Sequence, residues 1–129
     1  PGEMPQRISD FCRETNQQVP STPAEFARCI FDSLAEAYAR SLAELEDAAA
    51  VKVNEIDIVG GGSSNDLLNQ LTADATGLKV IAGPVEATVM GNLIIQMMSA
   101  GWITSLEEGR SLISKSVERK TFLPKVERG

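Results

Sequence analysis

The chain has 129 residues, 43% of them hydrophobic and 23% charged, which is enough to bury the core of one domain and too little for two. Eighteen acidic residues against twelve basic ones leave a net charge of −6, which excludes a nucleic-acid partner held by its phosphate backbone. There is no His and there are only two Cys, so Ser-His-Asp triads, Cys–His pairs, His-ligated metals and Cys-only zinc sites are excluded too. No apolar run approaches the roughly 18 residues of a membrane span and no signal-peptide pattern opens the chain, so no membrane is expected and a cytoplasmic setting is. The sequence starts at Pro1, without Met, in polar residues that lead into a helix, and so reads as a piece of something longer.

Met4 to Thr15 reads as a short helix with Pro5 in its first turn and Ile8, Phe11 and Cys12 on one face. After the polar turn Asn16 to Ser21, Thr22-Pro23-Ala24-Glu25 forms a complete capping box and opens a helix to about Ala49. Phe26, Ile30, Leu34, Tyr38, Leu42 and Leu45 recur at three- and four-residue spacing and mark its core-facing stripe. Glu44, Glu46 and Asp47 mark its solvated face. Antiparallel packing of the two helices brings Cys12 and Cys29 opposite one another. Reduced thiols, favoured by cytoplasmic redox conditions, and a disulfide both remain open there.

Val53 to Asp66 organises the chain. Ile56, Ile58 and Val59 form a β-branched run of the kind buried on both faces of a sheet, and it leads straight into Gly60-Gly61-Gly62. Three glycines offer nothing to pack; they let the backbone turn sharply and let a ligand reach bare N–H groups. Ser63, Ser64, Asn65 and Asp66 are helix N-cap residues, and Leu67, Leu68 and Leu71 follow. Strand, glycine turn and helix N-terminus together suit an anion, so Gly60, Gly61, Gly62, Ser63 and Asn65 read as a nucleotide-phosphate or ribose site. The alternative is a tight structural turn with no ligand, and Asn65 serves equally as a helix cap.

Downstream, Asp66 to Thr76 is a helix stopped by Gly77, and Lys79 to Ala82 a second short strand closed by Gly83-Pro84. Glu86 to Ala100 is a third long helix, with Ala87 and Gly91 as a small-residue face for close packing and Met90, Met97 and Met98 filling core. Glu86 sits where a carboxylate favours the helix dipole, and Asp74 is a solvated or structural carboxylate. Ser105 to Glu108 forms a second capping box for a helix to about Arg119, with Leu112, Ile113 and Val117 inward and a polar, frayed tail from Thr121 to Gly129. The order αα-β-α-β-αα, with two parallel strands joined by a right-handed crossover, makes an incomplete α/β sheet. Its open edge awaits absent chain or a second copy.

Gly60-Gly61-Gly62-Ser63 with Asn65, Asn69 to Asp74, Val80 to Pro84, Glu86-Ala87 and Gly91-Asn92 form an ordered set over some 35 residues. That set resembles the C-terminal ATPase domain of the FGGY carbohydrate kinases, and Phe26 to Ile30 with Ser33 to Ala35 point to the rhamnulokinase branch. The resemblance implies that residues 1–124 are the C-terminal part of an actin/hexokinase-like (ribonuclease H-like) nucleotide-binding ATPase domain, with a tail at 125–129 and an N-terminal sugar-binding domain absent from this chain. It also implies transfer of the γ-phosphoryl of Mg-ATP to L-rhamnulose, giving L-rhamnulose 1-phosphate, with Gly61 the residue matched best to the nucleotide and Asn65 beside the base. In that branch Cys12 and Cys29 match positions able to pair.

The first phosphate loop, the sugar pocket and the aspartate base lie upstream in this family, so the chain alone is expected to be inactive and to self-associate through its sheet edge. Competing readings are a non-catalytic α/β assembly module and a kinase for another ketose.

Overall fold

The computed structural model describes residues 3–125. Along it lie α1 (Met4–Glu14), α2 (Pro23–Ala49), β1 (Glu55–Ile58), a 3₁₀ turn (Gly61–Ser64), α3 (Asp66–Thr76) and β2 (Lys79–Ala82). They are followed by α4 (Ala87–Ser99), α5 (Leu106–Ser116) and β3 (Lys120–Phe122). The sheet order is β1-β2-β3. β1 and β2 run parallel, in register from Glu55–Lys79 to Ile58–Ala82, whereas β3 runs antiparallel to β2, Val80 opposite Phe122 and Ala82 opposite Lys120.

β3 corrects the expectation of two strands and a frayed tail. α5 stops at Ser116, Val117 is extended, and Thr121 and Phe122, residue types that suit a pleated surface, take the free side of β2. Side chains then hold the segment down: Gln70 Nε2 donates to the Leu123 carbonyl (2.8 Å), and Lys125 N–H donates to Asp74 Oδ1 (2.8 Å). Lys120 pairs with Asp66 (2.8 Å) and Arg119 with Asp57. Asp74 is thus structural, tying the chain end to α3. Of the expected tail, residues 126–129 lie outside the described residues.

α3 is the centre of the domain. It packs against β2 and β3 on one side and α2 on the other, burying Asn69, Thr72, Ala73 and Thr76 above Val80 and Ala82. The buried threonines are satisfied locally, since the Thr72 and Thr76 hydroxyls donate to the carbonyls one turn back (2.8 and 2.7 Å).

Two expectations about burial change here. On α2 the one fully buried residue is Ala35, while Ile30, Leu34, Tyr38 and Leu45 of the predicted core stripe stay exposed. The helix available to pack on α2 is α3, whose small inner residues favour close approach to an alanine rather than to a bulky stripe. β1 is the sheet edge, so Ile56 and Ile58 are half-buried, Glu55 and Asp57 exposed and Val59 exposed, rather than covered on both faces. Glu46 is not part of a solvated face either: its carboxylate accepts from Val53 N–H (2.8 Å) and meets Lys52 (3.2 Å), anchoring the approach to β1.

The close helix contact also moves. Gly91 is exposed with nothing near its missing Cβ, whereas Gly109 of α5 lies against Ile94 of α4, where a Cβ would come 2.7 Å from Ile94 Cγ2. Among the described residues no helix is long and apolar enough to cross a membrane.

The Thr22–Glu25 capping box forms as expected, and hydrogen bonds from Ser21 and Thr22 hold the Glu25 carboxyl below its ordinary 4.5. A depressed carboxyl stabilises the fold above its unfolded-state pKa and loses that contribution as pH falls through the folded value. Thermal melts should therefore show a midpoint that drops on acidification below about pH 4.5, with part of the drop absent in Glu25→Gln. Gly109→Ala should cost about 1–3 kcal/mol in urea unfolding by overpacking Ile94, and adding Ile94→Val should recover part of it.

Candidate functional site

Beyond Ile58 and Ala82 the two parallel strands feed two loops that lock together. Gly83 N–H donates to the Ile58 carbonyl (2.8 Å) and Gly60 N–H to the Pro84 carbonyl (2.9 Å). Gly60 has φ 78 and ψ −165, a region essentially reserved for glycine. From there the chain enters a 3₁₀ turn before α3, not the helix directly, with Ser63 N–H bonded to the Gly60 carbonyl (3.0 Å) and Asn65 N–H to that of Gly62 (3.1 Å). The five expected site residues thus lie together in one turn, interrupted only by Ser64, but they do different things.

Ser63 is buried and its Oγ donates to the Gly60 carbonyl (2.7 Å), closing the turn. Asn65 caps α3, its Oδ1 accepting from Leu68 N–H (3.1 Å), so the cap role assigned to it is real. Gly61 and Gly62 are exposed, and their N–H groups have no acceptor among the described residues. Nothing lies within 4 Å of a Cβ built on either. These two positions do not need glycine for their own backbone; the room above them is what glycine preserves. The turn also precedes the α3 N-terminus, which adds partial positive charge.

A cavity of about 400 Å³ adjoins the turn, lined by Ser63, Ser64, Pro84, Glu86, Met90 and Lys120 among others. Glu86 stands at the start of α4, where its side chain makes no cap bond. Lys120 comes from β3, which sequence reasoning missed, and its ammonium is held by both Asp66 oxygens (2.8 and 2.9 Å).

Asn69 was missed as a site residue as well. It is fully buried one turn into α3, and its Nδ2 donates to the Ser63 carbonyl (3.0 Å). An amide on the same helix face as the small residues Thr72, Ala73 and Thr76 is the signal that could have marked it.

A separate opening of about 690 Å³ lies between α1 and α2 and is lined by both cysteines. Cys12 is buried and Cys29 half-buried, both as free thiols. Burial first, and then the neighbouring Cys12, push the Cys29 thiol up. Phe11, expected on the packed face of α1, is 60% exposed.

The two kinds of glycine predict opposite costs. Gly60→Ala should lose about 1–3 kcal/mol of stability through backbone strain, while Gly61→Ala should stay within about 0.5 kcal/mol of the parent; denaturant titration of both variants checks the contrast.

Comparison with known proteins gives the chain a family. Residues 1–100 match the model of the FGGY family of carbohydrate kinases, C-terminal domain. The chain is 49% identical over 124 residues to a rhamnulokinase of Enterobacter sp. (strain 638), covering 96% of this chain and 25% of that protein. It is 46% identical over 123 residues to a rhamnulokinase of Halalkalibacterium halodurans, covering 95% of this chain and 26% of that one. The chain therefore spans about a quarter of the length of these relatives. With its glycine turn, capped α3 and three-stranded mixed sheet, the chain belongs to the FGGY family of carbohydrate kinases, as a C-terminal domain.

Proposed function

We propose that this chain is the nucleotide-binding C-terminal part of a kinase that phosphorylates L-rhamnulose with ATP, and that Gly60 to Asn65 form its adenosine-phosphate wall. The observation that carries this is the pair of exposed, unaccepted N–H groups at Gly61 and Gly62, with open space where side chains would stand; a 400 Å³ cavity opens at the next two residues of the turn, Ser63 and Ser64. Those features fit a nucleotide: bare amides suit phosphate oxygens, and the adjoining hollow suits a nucleoside. ATP, when bound, supplies the transferable phosphoryl group. Of the residues here, Gly61 and Gly62 would donate to it and the Asn65 side chain would keep the α3 N-terminus in place behind it.

Residues 1–124 act in this proposal as part of an actin/hexokinase-like ATPase domain, in the cytoplasm. The sugar pocket, the aspartate base and most of the Mg²⁺ coordination come from other parts of the kinase. The rhamnulokinase relatives support L-rhamnulose over another ketose. Phosphoryl transfer needs hydroxyl, metal and phosphates held together, so one wall of a cleft does not turn over by itself. β1 stands at a sheet edge, and the isolated chain is proposed to self-associate there. The juxtaposed Cys12 and Cys29 are proposed as a pair able to form a disulfide under oxidising conditions.

The test is a hybrid in which this chain replaces the matched quarter of the Enterobacter rhamnulokinase. The folded hybrid should phosphorylate L-rhamnulose in preference to other ketoses, while the 129-residue chain alone should not. Gly61→Val in the hybrid should cut kcat/KM for ATP by about a hundredfold. A folded hybrid without turnover, or one indifferent to Gly61→Val, would sink the proposal and leave a structural glycine turn in an assembly module.

A further inference from the structure

We propose that Asn69 is a positioning residue for the nucleotide site, holding the glycine turn through the Ser63 carbonyl; this presupposes the nucleotide site proposed above. Asn69 is completely buried, and its Nδ2 reaches out of α3 to the Ser63 carbonyl at 3.0 Å. Its own backbone stays in the helix, donating to the Asn65 carbonyl (3.0 Å). One side chain therefore couples the rigid helix to the turn before it.

The other half of the amide argues that this coupling is its purpose. Asn69 Oδ1 is buried with no hydrogen-bond partner, alone in that among the buried side-chain polar atoms of the described residues. A buried unpaired acceptor is unfavourable and Asn is a poor helix former, so what offsets these costs at this position is the bond its other amide atom makes. What Asn69 offers and Leu does not is the donor to Ser63.

The geometry says what that donor controls. Gly61 and Gly62 carry no side chains and nothing packs above them, so the direction of their N–H groups depends on the ends of the turn. One end is fixed where Gly60 N–H meets the Pro84 carbonyl. At the other, the Ser63 hydroxyl bonds back to Gly60, within the turn itself, and Asn69 ties Ser63 to α3. Two free amides thus sit between two fixed points. Donors aimed in advance bind an anion better than donors that must be ordered on binding.

The test compares Asn69→Leu and Asn69→Ala, which fill the buried site to different extents but both remove the donor. Amide NMR titration of the chain with Mg-ADP follows Gly60 to Asn65, the hybrid kinase gives KM and kcat for ATP, and thermal melts give stability. Both variants should melt below the parent, each leaving the Ser63 carbonyl without its donor and Asn69→Ala a cavity as well. Both should weaken ADP binding by about tenfold, the size expected for one hydrogen bond, and raise the KM for ATP with kcat little changed. An Asn69→Leu chain that binds ADP as tightly as the parent, or affinities that simply follow the melting temperatures, would overturn the proposal. If the parent chain shows no saturable shifts and the parent hybrid no turnover, the nucleotide site itself is refuted and this role with it.

Discussion

Two backbone hydrogen bonds between neighbouring loops fix everything that could be functional here: Gly83 N–H to the Ile58 carbonyl and Gly60 N–H to the Pro84 carbonyl. They extend the parallel pairing of β1 and β2 past the strand ends, so the glycine turn and the Gly83-Pro84 turn cannot move independently. Parallel strands place their loops at the same end, and ligands of open α/β sheets collect outside the carboxyl ends of the strands. The candidate site is therefore a property of the sheet first and of the glycines second. Gly60 supplies the one conformation the junction needs, and Gly61 and Gly62 supply access.

The interior supporting this junction is unusually polar for its size. α3 buries an asparagine and two threonines at its contacts with the sheet and α2. The threonines satisfy themselves against their own helix, which lets α3 sit close to Ala35 with little bulk between the elements. Close packing by small residues appears again where Gly109 meets Ile94. By contrast, the large apolar side chains Ile30, Leu34 and Tyr38 on α2, and Val89, Leu93 and Ile95 on α4, face outward. The chain belongs to a family whose relatives are about four times its length, and it carries apolar surface beyond what its own core uses.

Local chemistry was legible in the sequence and partner choice was not. Thr22 and Glu25 announced the start of α2, Gly77 the end of α3, and the β-branched run followed by glycines announced β1 and its turn, because caps and turns are set by residues a few positions apart. The stripe from Phe26 to Leu45 has a sound helical period, yet periodicity cannot say which face finds a partner; α3 chose the face of Ala35. β3 was hidden for a similar reason. Lys120 to Phe122 is too short to show alternation, and what makes it a strand is the free side of β2 some 40 positions earlier. Of the site, the glycine turn and the Asn65 cap were readable, whereas Asn69 and Lys120 owe their positions to helix burial and to that late strand.

The position of β3 has a consequence for how the chain is made. β2 lies in the middle of the sheet, but its second neighbour is encoded after both α4 and α5. During synthesis the parallel β1–β2 pair and α3 can assemble early, while one side of β2 stays unpaired until Lys120 to Phe122 leave the ribosome. Asp66, Gln70 and Asp74 wait for the same segment. Chains that stop after Ser116 would display a bare strand edge beside a helix that lacks its contacts to the last strand, an aggregation-prone surface. The sheet is therefore complete only once the chain has been made through Phe122.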